Sequence, residues 1–181
     1  MTPTKCFLTK GIGVNKDPLR AFESSLRSAG IQICNLVYVS SIFPSGCRII
    51  PKNQGVSELV PGAITFCVLA RTTSNEPNRL ISSSVGLAIP VSNKSHYGYL
   101  SEVHDAFGKT RKETGDHAED LAAAMLCSTL GLEFDENKSW NEKKDLYQVG
   151  DKIIKTSNIT QSTVVKGNNY HTVIAAAIFI E

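Results

Sequence analysis

Asn35-Leu36-Val37-Tyr38-Val39-Ser40-Ser41-Ile42-Phe43-Pro44 is the stretch on which the reading of this chain turns. Most of it is β-branched or aromatic, which predicts a strand, and Pro44 denies the ladder an amide donor and marks the strand's end or an edge. Two adjacent serines therefore sit where a backbone can be held under strain. A serine hydroxyl is a poor nucleophile in solution, but at a strained bond it can attack the carbonyl just before it and turn an amide into an ester. Ser24-Ser25 and Ser82-Ser83-Ser84 are serine clusters too. Most such clusters are surface or turn residues, so the context has to decide.

Upstream, Lys5 to Leu8 and Ile12 to Val14 read as short strands around Gly11. Asp17-Pro18 predicts a helix start, with an acidic N-cap and proline at the first helical position, and Gly30 predicts its end. On that helix Leu19, Phe22 and Leu26 share an apolar face, leaving Arg20, Ser24 and Arg27 more exposed. Downstream, Arg48 to Pro51 reads as extended, Lys52 to Glu58 as a polar loop and Gly62 to Thr73 as a strand. Asn75, Pro77 and Asn78 carry turn chemistry that predicts a hairpin with a strand at Arg79 to Ile89. Tyr97 to His104 is another strand. Thr110 to Leu130 is the longest helix, apolar at Leu121, Met125 and Leu132 beyond it, with Gly131 as C-cap.

Glu133 to Asp151 is polar and charge-mixed, as an insertion or mobile loop would be, with the single tryptophan, Trp140, among Asn137, Lys138, Asn141, Lys143 and Lys144. A lone aromatic there reads as an anchor for the loop. Strands follow at Lys152 to Val165 and Tyr170 to Ile180, joined by Gly167-Asn168-Asn169, residues that tolerate positive φ. Strands with two helices and no internal repeat argue an α+β sandwich.

At 181 residues the chain is about one domain. Its net charge of +2, with cations scattered among carboxylates, argues against a nucleic-acid partner. No apolar stretch of membrane-spanning length and no signal-like amino terminus occur, so a cytoplasmic protein with no membrane partner is expected. Cys6, Cys34, Cys47, Cys67 and Cys127 are odd in number and form no C-x-x-C pair, which suggests buried thiols in a reducing compartment. The sequons beginning at Asn93, Asn137 and Asn158 carry no meaning in that setting.

The chain as a whole resembles the pyruvoyl-dependent arginine decarboxylases. Leu19-Arg20-Ala21-Phe22-Glu23 with Leu26 and Ala29-Gly30-Ile31 is similar to that family's first helix, and Asn35 to Pro44 to its cleavage segment. Leu59-Val60-Pro61-Gly62 matches its next strand entry, and Val85 to Pro90 its central strand. Gly98-Tyr99-Leu100-Ser101-Glu102 matches the segment bearing its catalytic glutamate, and His171 to Phe179, with Ala175-Ala176-Ala177, its last strand. The resemblance implies a four-layer αββα sandwich, a homotrimer or a hexamer of two trimers, and active sites between subunits. It also implies cleavage between Ser40 and Ser41 into a small β chain (1–40) and a large α chain (41–181).

Decarboxylation of an amino acid leaves electrons on the α-carbon, and side chains offer no conjugated sink for them. Pyridoxal phosphate is the usual answer, but no glycine-rich phosphate loop is evident, and Gly11-Ile12-Gly13 is too short to be one. The resemblance implies instead a covalent pyruvoyl group derived from Ser41, acting through a Schiff base with the substrate amine, with neither pyridoxal phosphate nor metal. It implies Glu102 as the general acid that reprotonates the α-carbon, a role that requires partial burial. Asn35 matches an asparagine implicated in processing, where its amide could hold the Ser40 carbonyl. Glu23 stands where arginine-specific members carry an aspartate, so its carboxylate is expected to meet a guanidinium. The substrate is read as L-arginine and the product as agmatine. A decarboxylase of another amino acid, such as histidine, or an unprocessed, non-catalytic paralogue acting as a subunit or binding protein, is the alternative. His104 beside Asp105 suggests an acid–base pair, yet a solvated or core-satisfied histidine is the commoner arrangement and the reading adopted. His117 and His171 have no ligand-spaced partners, so no metal site is expected.

Overall fold

In a computed structural model, which describes residues 1–91, 96–135, 140–141, 146–149 and 152–181, the chain runs β1 (Lys5–Asn15), α1 (Pro18–Ala29), β2 (Asn35–Tyr38), β3 (Ile42–Phe43), β4 (Arg48–Ile49), α2 (Lys52–Ser57), β5 (Ile64–Ser74), β6 (Leu80–Pro90), β7 (Gly98–Phe107), α3 (Arg111–Thr129), β8 (Trp140–Asn141), β9 (Leu146–Val149), β10 (Lys152–Val164) and β11 (Tyr170–Ile180). Two sheets form, ordered β2-β5-β11-β1-β4 and β3-β7-β6-β10-β9-β8. The first and second helices cover the outer face of the first sheet and α3 that of the second, which is the four-layer αββα sandwich.

The two-residue alternation of β11 sorts the layers. Ala175, Ala177 and Phe179 join Phe43, Val68 and Leu100 between the sheets, while Ile174, Ala176 and Ile178 join Phe7 and Ile31 beneath the helices. Ala122, Ala123 and Leu126 seat α3 on Ala88 and Ile154 of the second sheet. Among the described residues no helix is long and apolar enough to cross a membrane.

Helix α1 begins and ends as its caps predict: the Asp17 carboxylate accepts from the Arg20 amide, Pro18 opens the helix, and Gly30 closes it at φ 83°. Its buried stripe differs from the one expected. Ala21, Ser25 and Ala29 form the seam, Phe22 and Leu26 pack at its flank, and Leu19 is 73% exposed. The cause lies in β1, one continuous strand where two were expected. A Cβ on Gly11 would lie 2.1 Å from Ser25 O, and one on Gly13 1.9 Å from Ala21 O, so these glycines admit the helix backbone instead of interrupting the strand.

Other differences share a tertiary cause. Lys52 to Glu58 is mostly helix α2, because Gly55 can lie against the Phe7 ring, where a Cβ would be 2.1 Å from it. β5 and β6 do not pair as a hairpin but belong to different sheets. The Val165 carbonyl takes the Asn78 amide at 2.9 Å and the Arg79 carbonyl takes the Val165 amide at 2.9 Å, which docks the start of β6 on β10. On α3 the buried face is Ala118, Ala122, Ala123, Leu126 and Cys127, while Leu121 is 38% exposed. Part of the stretch read as a loop at Glu133 to Asp151 is β8 and β9, added to the edge of the second sheet. The Trp140 side chain, Asn93, Asn137, Lys138, Lys143 and Lys144 lie outside the described residues. Asn158 points into the molecule, its amide donating to the Glu119 carboxylate.

Candidate active site at the crossing between the sheets

β2 runs parallel to β5 from Asn35 opposite Ile64 to Tyr38 opposite Cys67. The Val39 amide makes one more bond to that sheet, 3.0 Å to the Cys67 carbonyl. Two residues later the chain is in the other sheet: the Ser41 carbonyl accepts from the Leu100 amide at 2.7 Å, and Ile42 and Phe43 pair with Tyr99 and Gly98 of β7. The Ser40–Ser41 peptide is thus the step by which the chain changes sheets. Residue types dictate this. Val39 packs from the first sheet and Phe43 from the second into the same inter-sheet core, Phe43 tilted 6.5 Å from Phe179, while the small serines between them span the gap.

The Ile42 amide donates to the Ser40 carbonyl at 3.0 Å, closing a three-residue turn around Ser41. Among the described residues the non-glycines with positive φ are Asn78 and Asp105. The serine pair therefore carries no left-handed strain. What holds the bond is a pair of anchors, one in each sheet, and a backbone donor already on the carbonyl that a nucleophile would attack.

A cleft of about 600 Å³ opens beside the crossing, lined by Tyr38, Val39, Arg71, Glu102, His104 and Asp105. Ser40 and Ile42 line a second, of about 610 Å³, and Val39 lines both. Such a volume suits a small substrate. Glu102 lies opposite Val85 on β7 and follows Leu100 on the same strand face. Two residues of strand, about 6–7 Å, separate it from the amide that holds Ser41. Its side chain is 31% exposed, and His104 Nε2 stands 3.9 Å from Oε2. The Arg71 amide donates to His104 Nδ1 at 3.2 Å, and the Arg71 guanidinium lies 4.6 Å over the Phe22 ring of α1. Burial, reinforced by the Glu102 carboxylate, pushes the Cys67 thiol up to about 12. Burial first, then Cys67, also raises the Tyr38 phenol, with Arg71 opposing and Glu102 adding to the rise.

Ser40, Ser41 and Glu102 come together within one chain. Asn35 and Glu23 do not join them. Asn35 starts β2, five residues or about 16 Å along the strand from Ser40, and its amide donates to the Gly62 carbonyl at 2.8 Å. Within the chain the donor on the Ser40 carbonyl is the Ile42 backbone, which no side-chain motif announces. Glu23 lies on the solvent side of α1, ion-paired with Arg27. His104 is exposed, as the solvated reading expects, and its ring also accepts the Arg71 amide; it shares a strand face with Glu102 because residues i and i+2 do so. Asp105, with φ 50°, is part of an irregularity in the β6–β7 register. His171 is structural, accepting from the Lys166 amide at 3.3 Å with Nδ1 beside Asn169 O. Among the described residues no group of three or more His, Cys, Asp or Glu side chains gathers as a metal site.

Ser41 is half-buried, its own carbonyl is fixed at Leu100, and Glu102 lies close along β7. The family model described as pyruvoyl-dependent arginine decarboxylase matches residues 5–181. The "Probable pyruvoyl-dependent arginine decarboxylase" of Chlorobaculum tepidum is 51% identical over 178 residues, covering 98% of this chain and 97% of the relative. That of Chloroherpeton thalassium is 50% identical over 179 residues, covering 98% and 97%. "Pyruvoyl-dependent arginine decarboxylase 2" of Methanosarcina mazei is 48% identical over 181 residues, covering 99% and 98%. The chain belongs to the pyruvoyl-dependent arginine decarboxylase family.

Proposed function

We propose that this member of the family is a proenzyme that cuts itself between Ser40 and Ser41 and then converts L-arginine to agmatine and carbon dioxide. The observation that carries the reading is the peptide bond suspended between two sheets with a donor already on its carbonyl. Ser41 Oγ attacks the Ser40 carbonyl carbon, the C–N bond breaks, and the hydroxyl proton passes to the released amine, leaving an ester. The Ile42 amide steadies the oxygen as negative charge gathers there. Loss of the Ser41 α-proton expels the Ser40 carboxylate and leaves a double bond between the α- and β-carbons. Water then replaces the nitrogen as ammonia, and residue 41 becomes the pyruvoyl terminus of the large chain.

The cut frees no element. Residues 1–40 contribute β1, whose register with β11 runs from Lys5 opposite Ile180 to Asn15 opposite Tyr170, so the small chain stays inside the sheet. When formed, the pyruvoyl group supplies the electron sink conjugated to the substrate's α-carbon. Glu102 then holds the proton that the α-carbon takes as carbon dioxide leaves. Asn35 and Glu23 act from a neighbouring subunit of a homotrimer, or of a hexamer built from two: Asn35 in processing, Glu23 as the two-oxygen partner of the guanidinium. Their exposure, and their distance from the Ser41 of their own chain, support that arrangement.

Intact mass of the purified protein tests the reading, together with carbon dioxide release from arginine. Two chains that divide at Ser40, the larger with a blocked amino terminus, are expected. A single full-length species after prolonged incubation overturns it.

A further inference from the structure

Once β2 leaves the first sheet, β5 has no strand on that side, and its Arg71 amide is taken by a side chain from the other sheet, Nδ1 of His104 at 3.2 Å. A bulge aims the ring. The β6–β7 register shifts between Ser82 and Ser84, Asp105 adopts φ 50°, and its amide is pinned by Thr72 Oγ1 at 2.9 Å. With Nδ1 accepting, the proton of the neutral imidazole belongs on Nε2, the atom that faces Glu102 Oε2 at 3.9 Å. That separation is longer than a hydrogen bond, as contacts of this kind often are before substrate closes them.

Building on the decarboxylase reading above, we propose that His104 is the positioning residue for Glu102, donating Nε2–H to Oε2 so that the acidic proton sits on Oε1, directed at the substrate. A carboxylic acid has one hydroxyl and one acceptor oxygen, and a donor fixed on Oε2 decides which is which. The same geometry makes the cleft sensitive to acid. A proton added to the ring can enter only at Nδ1, where it confronts the Arg71 N–H and breaks that bond. The resulting imidazolium loses its anchor on β5 and with it the fixed aim of Nε2–H at Oε2, so the acidic proton of Glu102 is no longer oriented. It also adds positive charge to a cleft meant for a cationic substrate. The charged and titratable groups around His104 are Glu102 and Asp105 of its own strand, Arg71 of β5 and Tyr38 at the end of β2.

The test compares His104→Ala and His104→Gln on fully cleaved protein, with one readout that needs no turnover. Misplaced reacting groups cost on the order of 10–100-fold, so alanine should lower kcat by that much and change KM for arginine less. Glutamine, whose carbonyl can take the Arg71 amide and whose NH₂ can face Glu102, should recover most of the loss. It does not titrate, so the fall of wild-type activity on the acid side should be absent from its profile. In the uncleaved Ser41→Ala protein, nitrogen-15 spectra of the His104 ring should place the proton on Nε2. Wild-type kcat in the alanine variant, or the same acid limb in wild type and glutamine variant, overturns the proposal. So does an Nδ1-protonated ring. Should the alanine variant fail to fold or cleave, the glutamine profile and the ring spectrum decide. Cleaved wild type that turns over no arginine overturns the decarboxylase reading and the proposal with it, whereas an Nδ1-protonated ring in an active enzyme overturns the proposal alone.

Discussion

Replacing Gly86 by alanine tests whether α3 and the strand pair that carries Glu102 are as closely apposed as they stand here. Gly86 lies on β6 opposite Ser101, the neighbour of Glu102. A Cβ there would lie 2.1 Å from Ala118 O, 2.4 Å from Ala118 C and 2.6 Å from Ser101 Oγ. Two of those atoms belong to the backbone of α3 and cannot swing aside. The helix must retreat by roughly 1 Å to restore ordinary contact, and it is seated by Ala118, Ala122 and Ala123, whose packing density leaves it no slack. Overpacking of this kind costs about 1–3 kcal/mol. The retreat also breaks the buried bond from the Ser101 hydroxyl to the Ala118 carbonyl, which adds about 1 kcal/mol.

The expected loss is therefore about 2–4 kcal/mol, or roughly 4–16 °C in melting temperature for a chain of this size. Urea titration and thermal melts in the uncleaved Ser41→Ala background measure it without interference from processing. Ser101→Ala alone should cost about 1 kcal/mol. The double variant should fall short of the sum, because the hydroxyl is both clash and bond partner. A Gly86→Ala protein within about 0.5 kcal/mol of its parent would refute the close approach and the placement of α3 argued from it.

Other outcomes follow from the site. Ser41→Ala should remain a single chain on a denaturing gel, since no hydroxyl remains to form the ester, while a Ser40 substitution slows cleavage less; equal processing of Ser41→Ala would assign the nucleophile to another residue. Glu102→Gln, compared only on cleaved protein, should still bind arginine yet lose about 10²–10⁴-fold in decarboxylation, and near-normal turnover would remove Glu102 from the mechanism. Glu23→Ala should weaken arginine far more than lysine, by several kcal/mol where the guanidinium loses a partly buried partner; an arginine rate untouched by the change would reject Glu23 as the specificity residue. The Cys67 thiol is raised from 9.0 to about 12, so its neutral form is the one that the fold stabilises. That contribution is complete below the unfolded thiol's range and is lost as pH climbs from about 9 towards 12. Replacement of Cys67 by alanine should flatten that alkaline decline in stability, and an unchanged slope between the two proteins would show that other groups cause it.

Local chemistry was legible where it acts locally. The Asp17-Pro18 start and Gly30 stop of α1 needed no tertiary knowledge, because a cap is decided by neighbours within a turn. The errors arose where a second element supplied the reason. Gly11 looked like a strand breaker because its partner, the α1 backbone, is distant in sequence. Asn75 to Asn78 does turn, but whether the next strand joins the same sheet depends on β10, which lies much later in the chain. In the site, residue types announced a strand that stops near Pro44, while Ser40, Ser41 and Glu102 were singled out by the resemblance to a family and not by residue type. Arg71 was singled out by neither, since its part rests on a backbone amide left open when β2 departs, and nothing in an arginine's side chain announces that.

That departure links fold to chemistry. A bond destined for cutting has to be held still, and it also has to be one whose loss leaves the structure standing. A peptide within a ladder meets the first requirement and fails the second, while one in a free loop does the reverse. The Ser40–Ser41 bond meets both: Val39 and Ser41 are each hydrogen-bonded to a different sheet, and the full-length pairing of β1 with β11 joins the two products without it. The geometry exists only when both sheets have formed and packed, since Val39 and Phe43 enter the same core from opposite sides. An unfolded chain has no sheets to hold the turn at Ser41 in place and no Glu102 nearby. The proposed cleavage is in this way conditional on a completed fold, and the proposed reactive group forms only where the cleft that would use it is already built.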